Sequence, residues 1–350
     1  MTITKRTRAV GLGLALATTA AGLSVGAGGS QAAAKHPSSV RATGLYFADP
    51  GFSILTDGKG NRSFHLYATG TGFRAATSSS GKAGTFAKNG PAMPKAPGWV
   101  VRTGDRGLWA PSVFQVNRKG QSPLYVMYFV GRDGRRGSPT KGKNCIGVAT
   151  STKRVNDFVP TSQSAPFLCP RKGMNEAIDP SMFQDRDGKR YMIYKVGNYD
   201  TRRFEIRANP MNATGTRDAG ASFLLTDAAH HDFRGSSRAV IEAPQVIRRG
   251  NTLWLFTSRG GYRDCEYSTF AYRSTSIRSG KWNYASALLT PSNSGFCGPG
   301  GAEVVNDRGT FRIAFHVWKG GVPASRSTNA VRTTWIGTLG WNAKGNPYVR

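Results

Sequence analysis

Acidic residues are scarce in this chain. There are 19 of them against 48 lysines and arginines in 350 residues, for a formal net charge of +29. Such an excess attracts polyanions at low salt, and outside a cell acidic polysaccharide or an anionic wall polymer is the natural partner. Nucleic acid is disfavoured, because the cations (Arg132, Arg135, Lys141, Arg171, Arg202, Arg248 and others) are scattered and form no compact basic motif. A solvated, arginine-rich surface is the plainer explanation of the charge. Cysteine is limited to Cys145, Cys169, Cys265 and Cys297, with no CxxC spacing, which argues against a zinc site. Past the first residues no run is long and apolar enough to span a membrane, and no long amphipathic helix is visible.

The apolar run that does exist stands at the start. Lys5, Arg6 and Arg8 precede a Gly- and Ala-rich stretch from Ala9 to about Gly22, and Ala32-Ala33-Ala34 offers small residues for cleavage. Residues 1–34 therefore read as a secretory signal, which places the protein outside the cell with no membrane anchor. In an exported chain an even cysteine count suggests disulfides. Four cysteines allow three pairings. The sequence-local pairs Cys145–Cys169 and Cys265–Cys297 are favoured because each stays within about one repeat length, with free buried thiols as the alternative.

Residues 35–350 carry a repeat. A small or acidic residue, then Pro or Gly, then alternating apolar positions occurs at Ala48-Asp49-Pro50-Gly51-Phe52, Trp109-Ala110-Pro111-Ser112-Val113, Ile178-Asp179-Pro180-Ser181-Met182 and Glu242-Ala243-Pro244-Gln245-Val246, with a looser copy at Gly298-Pro299-Gly300-Gly301-Ala302. Pro50, Pro111, Pro180 and Pro244 lie 61, 69 and 64 residues apart. Each copy continues into a Gly- or Asn-containing turn, such as Asp57–Asn61 or Asp185–Gly188, and then an apolar returning strand such as Tyr191–Tyr194. The Asp185–Gly188 turn lacks the downstream bidentate glutamate of a calcium loop and reads as a plain hairpin. A period near 60 residues in an all-strand sequence predicts one domain: an all-β, five-bladed propeller, one blade per repeat, with its catalytic pocket at the central channel. The prolines fit the first residue of each innermost strand, where a missing N–H costs little.

Three copies bring a carboxylate to the repeat start: Asp49, Asp179 and Glu242. Facing one axis, three such acids repel one another, and burial keeps the least solvated one protonated. A protonated acid opposite an ionised carboxylate is the arrangement that cleaves glycosidic bonds, with a third acid free to tune the proton donor. Trp109, at the same axis, offers a flat apolar face to a sugar ring or packs between blades. His316 ends an apolar strand and is either a structural hydrogen-bond partner or a channel residue contacting substrate, water or an ion. His230-His231 reads as loop.

Taken together, Ala48-Asp49-Pro50, Trp109-Ala110-Pro111, Ala177-Ile178-Asp179-Pro180-Ser181, Glu242-Ala243-Pro244, Phe315-His316 and the closing stretch from Arg332 to Trp341 resemble glycoside hydrolase family 43, the five-bladed arabinanases, arabinofuranosidases and xylosidases. The resemblance covers nearly all of residues 44–350. It implies an inverting glycosidase with Asp49 as general base, Glu242 as general acid and Asp179 as the residue that tunes the acid. Base and acid would stand roughly 6.5–9.5 Å apart to admit a water. It further implies that Arg332 contacts substrate or a catalytic carboxylate, and that Trp109 borders the sugar subsite. No cofactor is required, but His316 has the place of a histidine that positions a structural calcium or its waters. Two motifs depart from the family: Asp-Pro-Gly stands where Asp-Pro-Ser is common, and Ser112 follows Pro111 where an acid is common. The Ala-Ile-Asp-Pro form is closer to arabinan-active members, so the expected substrate is plant cell-wall polysaccharide (arabinan, arabinoxylan or pectin side chains), cut by a monomer. A β-xylosidase of the same family and a non-catalytic propeller binding acidic polysaccharide are the alternatives.

Overall fold

The computed structural model describes residues 36–101, 107–227, 240–278 and 281–350. The proposed leader and His230-His231 lie outside them. Apart from one four-residue helix, α1 (Pro291–Ser294), and a short 3-10 turn at Lys319–Gly321, its regular structure is all strand. Strands follow the chain in antiparallel sets of four. Blade I holds β2 (Gly51–Thr56), β3 (Arg62–Ala68), β4 (Arg74–Ser78) and β5 (Ala87–Asn89). Blade II holds β6 (Leu108–Val116), β7 (Leu124–Arg132), β8 (Asn144–Ser151) and β9 (Val159–Pro160). Blade III holds β10 (Glu176–Gln184), β11 (Arg190–Asn198), β12 (Arg203–Met211) and β13 (Phe223–Asp227). Blade IV holds β14 (Ile241–Arg249), β15 (Thr252–Arg259), β16 (Ser268–Ser274) and β17 (Asn283–Leu289). Blades II and III are joined by a single parallel pair, Glu176 with Asn144.

Blade V is made from both ends of the chain. β18 (Gly300–Asp307), β19 (Thr310–Trp318) and β20 (Arg332–Trp341) come from the C-terminal side, and β1 (Arg41–Ala42) adds to β20 through Arg41–Ile336 and Ala42–Trp335. β21 (Pro347–Val349) extends the far end of β20. The first strands of the blades touch in sequence, β2 to β6 to β10 to β14 to β18, and β18 touches β2 again. The ring is closed, and the fold is the five-bladed propeller.

This architecture explains how a chain of modest hydrophobicity makes a core. Five apolar clusters lie at the five blade junctions instead of at one centre. Tyr67, Phe73, Tyr125 and Phe129 fill the junction of blades I and II; Phe47, Phe52, Phe64, Ala314 and Ile336 fill that of blades V and I. Burying such aromatics contributes about 1.5–3 kcal/mol each. The turns fall where glycine and asparagine placed them: Gly60, Gly120, Gly188, Gly250 and Gly309 all have positive φ. Asp185 accepts from Arg248, and its backbone closes the hairpin turn with Gly188 and Lys189. Both local disulfides form, Cys145–Cys169 and Cys265–Cys297.

Candidate active site

The repeat signature is a β-bulge. Ladder pairing breaks between Trp109 and Ser112, Ile178 and Ser181, Glu242 and Gln245, and Gly300 and Glu303. In each bulge the first skipped residue is left-handed: Ala110 (φ 45°), Asp179 (φ 51°), Ala243 (φ 49°) and Gly301 (φ 61°), matched by Asp49 (φ 48°) just before β2. Two expectations are corrected here. Pro111, Pro180 and Pro244 are not at strand starts but inside nine-residue strands, within the bulge, where no ladder partner needs their N–H. The fifth copy is set by Gly301-Ala302, with Ala302 where the others have proline, and not by Pro299. A third difference concerns the acids. Asp49 and Asp179 occupy the left-handed position itself, whereas Glu242 sits one residue earlier, on the last ladder pair before the bulge, opposite Ser258.

Several bulge amides are pinned by a side chain of the preceding blade. The Asp49 amide donates to His316 Nδ1 (3.1 Å), Ala110 to Thr69 Oγ1 (3.0 Å), Ala243 to Asp179 Oδ2 (2.9 Å) and Gly301 to Ser258 Oγ (2.9 Å). These bonds carry position from blade to blade, so acids far apart in sequence reach one place. Gly51 shows how close that approach is: a Cβ there would fall 2.1 Å from the Pro111 carbonyl oxygen. The departure from Asp-Pro-Ser is thus a packing requirement of this ring.

Asp49, Asp179 and Glu242 all line a pocket of about 680 Å³ at the ring axis, together with Trp109, Glu176, Tyr199, Tyr262, Tyr267 and Arg332. On one side Arg332 grips Asp49 with both nitrogens, Nη1 to Oδ1 at 2.6 Å and Nη2 to Oδ2 at 3.2 Å, while the Thr69 hydroxyl donates to Oδ2 at 2.7 Å. Burial alone would raise this carboxyl, but the Arg332 charge and the hydrogen bonds from Thr69 and Arg332 outweigh it and hold Asp49 below its ordinary value. The three donors leave a lone pair on Oδ1 for a water.

The surroundings of Glu242 and Asp179 are built differently. Glu242 accepts from the Tyr267 hydroxyl at Oε1 (2.9 Å) and from Lys195 Nζ at Oε2 (2.9 Å). Lys195 is fully buried, and its ammonium also lies 2.5 Å from Glu176 Oε1. Asp179 Oδ2 accepts from the amide of Ala243, the residue after Glu242 (2.9 Å). Burial first, then the Glu242 charge, pushes the Asp179 carboxyl up, to about 8, against the opposing pull of Lys195. One proton therefore belongs to the Asp179–Glu242 pair at neutral pH, resting on Asp179 while Lys195 and Tyr267 both donate to Glu242.

Of the residues anticipated at the site, Trp109 and Arg332 are on the pocket wall, and Arg332 touches a carboxylate. His316 is not on that wall. It lies behind Asp49, buried, stacked on Tyr267. Burial, then the Arg332 charge, holds its pKa down to about 3, so the ring is neutral with a single lone-pair nitrogen. The Asp49 amide takes Nδ1, and Arg332 Nη1 stands 3.4 Å from Nε2. Nε2 therefore carries the ring proton and offers no lone pair to a cation, and a guanidinium faces it. His316 does not fit as a direct calcium ligand. The one grouping of metal-ligating side chains among the described residues, Asp133 with Cys145 and Cys169, has its sulfurs in a disulfide.

With this geometry in place, the likeness to known proteins has a physical meaning. The sequence profile of the glycosyl hydrolases family 43 matches residues 49–347. The chain belongs to that family. An extracellular exo-α-(1→5)-L-arabinofuranosidase of Cellvibrio japonicus (strain Ueda107) is 26% identical over 172 residues, 47% of this chain and 46% of that protein, so the chain spans about half the length of this relative. Among solved structures, a thermostable family-43 glycoside hydrolase superposes with a TM-score of 0.70 at 22% identity, covering 90% of this chain and 96% of that one. An exo-1,5-α-L-arabinanase from a bovine ruminal metagenomic library gives 0.65 at 19%, covering 88% and 98%. At those identities the structures speak for the propeller alone.

Sequence reasoning missed Thr69, Glu176, Lys195, Tyr199 and Tyr267. A usable signal existed for Lys195, a lone cation inside the apolar strand Tyr191–Val196, and for Glu176, three residues before Asp179.

Proposed function

We propose that the protein is a secreted, inverting glycosidase acting on arabinose-containing plant polysaccharide. The observation that carries the reading is the asymmetry of the pocket: an ionised Asp49 with a free lone pair, and across from it a carboxyl pair that keeps one proton. Asp49 is the general base that takes a proton from water. Glu242 is the general acid that protonates the leaving oxygen. Asp179 supplies the pair's proton store and fixes Glu242 through the Ala243 amide. Trp109 stacks on the sugar, and Arg332 keeps the base ionised.

Export is supported by the two disulfides and by the charged-then-apolar leader of the sequence. The arabinose assignment draws on the family relative named as an extracellular arabinofuranosidase. A screen of aryl α-L-arabinofuranosides, aryl β-xylosides and linear arabinan tests it. Turnover of the first or third, lost in Asp49→Ala and Glu242→Ala variants that remain folded, is expected. Turnover of xylosides alone, or undiminished turnover by either variant, overturns the reading.

A further inference from the structure

The base side of the pocket has its cation, Arg332, to itself. On the acid side the cation is shared, and the sharing is built into the strands. Lys195 stands in the middle of β11, opposite Ile178 of β10, and is completely buried. Its ammonium reaches Glu176 Oε1 (2.5 Å), Glu242 Oε2 (2.9 Å) and the Tyr199 hydroxyl (3.1 Å), and it lies over the Tyr199 and Phe204 rings at 5.0 and 5.2 Å. Glu176 begins β10 and pairs with Gly197, where a Cβ would fall 2.9 Å from Glu176 Oε1. The backbone has been left bare at the point where the carboxylate meets the lysine.

We propose that Glu176 is a positioning residue of the reaction: as the counter-ion of Lys195, it sets how tightly the Asp179–Glu242 pair keeps the proton that goes to the leaving oxygen. This rests on the proposed glycosidase reading. The physical case is a charge balance around a fully buried ammonium, with both its carboxylate partners nearly buried at the pocket wall. Lys195 carries one positive charge. Glu176 cancels it, leaving one negative charge to be shared by the pair with its proton. Without Glu176 the whole field of the ammonium falls on the pair, stabilises its doubly ionised form and releases the proton at lower pH. Without Lys195 the reverse holds, because a doubly ionised pair would then be buried with no cation beside it.

The remaining charged and titratable groups on the neighbouring strands are otherwise engaged. On β12, Glu205 is paired with Arg171, Arg203 and Arg207. On β15, Arg259 lies over the Phe270 and Tyr272 rings. On β18, Glu303 accepts from Ser112 and from the Phe52 amide. Tyr267, Tyr199 and, across the pocket, Asp49 complete the set around Glu242 and Lys195.

The test is the pH dependence of kcat/KM, whose descending limb reports the essential acid of the free enzyme. Glu176→Gln, nearly isosteric, is expected to move that limb down by roughly one unit or more. Lys195→Met is expected to move it up. The double variant Glu176→Gln/Lys195→Met, which leaves the net charge of the cluster unchanged, is expected to lie between them and serves if Lys195→Met does not fold. A uniform loss of activity with the limb unmoved in Glu176→Gln means a merely structural role and overturns the proposal. Carboxyl carbon NMR titration of the same variants without substrate separates this claim from the functional one. A downward shift of the pair's titration in Glu176→Gln supports the charge balance even if no glycoside is cut; an unshifted titration refutes it even in an active enzyme.

Discussion

Asp49 and Asp179 begin as the same thing: an aspartate in left-handed conformation, one residue before a proline, on the axis of the same ring. They end with opposite protonation. Asp49 meets a guanidinium delivered by β20 and a hydroxyl from blade I, and is held ionised. Asp179 meets the Glu242 carboxylate, and the nearby cation has two other acids to satisfy, so its carboxyl is pushed up to about 8. The repeat supplies the position and the neighbouring blade supplies the chemistry. Drawing an ionised and a protonated carboxyl from one repeated motif needs only different partners, not different backbones.

The largest expected effect comes from removing either side altogether. Asp49→Ala or Glu242→Ala should lower kcat on arabinan by roughly 10²–10⁴-fold with unfolding behaviour little changed, as initial-rate assays beside thermal melts would record. Next is Arg332→Met. Without the guanidinium, Asp49 keeps its proton to higher pH, so the ascending limb of kcat/KM should move up by roughly 1–3 units while the descending limb stays in place. Movement of both limbs together would erase the distinction between the two sides.

Asp179→Asn sharpens the contrast through stability. The folded carboxyl titrates near 8 against an ordinary value of 3.8, so between these the folded state binds more protons than the unfolded chain. Wild-type stability should therefore fall as pH rises through that window, and the Asn variant should lose this dependence. Denaturant melts at several pH values would record a variant whose relative stability grows toward pH 8. The smallest effect is expected from Tyr267→Phe. It deletes a neutral donor to Glu242 instead of a charge, and should raise the descending limb by roughly half a unit to one unit.

Much of this was legible in the sequence. The Pro-bearing repeat, the turn glycines and the strand alternation sufficed for five blades, and Asp49, Asp179 and Glu242 were recognisable from their place in it. The bulge was not legible, because a proline beside a small residue marks a strand start as readily as a kink within one; only pairing partners distinguish them. That is why the fifth copy was misaligned on Pro299. His316 stayed open between two roles for a related reason. A histidine at a strand end near the axis is ambiguous until the Asp49 amide is found on its Nδ1, a contact spanning most of the chain. Lys195 and Glu176 escaped notice because their pairing is cross-strand and buried, and neither stands in the repeated motif.

The sharpest test of the two-sided pocket uses leaving-group dependence. Glu242→Ala and Asp49→Ala should be compared on arabinan and on 2,4-dinitrophenyl α-L-arabinofuranoside, whose leaving group needs no proton. Glu242→Ala should fail on arabinan yet retain activity within about tenfold of wild type on the dinitrophenyl substrate, whereas Asp49→Ala should fail on both. Equal failure of the two variants on both substrates, or rescue of Asp49→Ala instead, would contradict the assignment of base and acid to opposite walls.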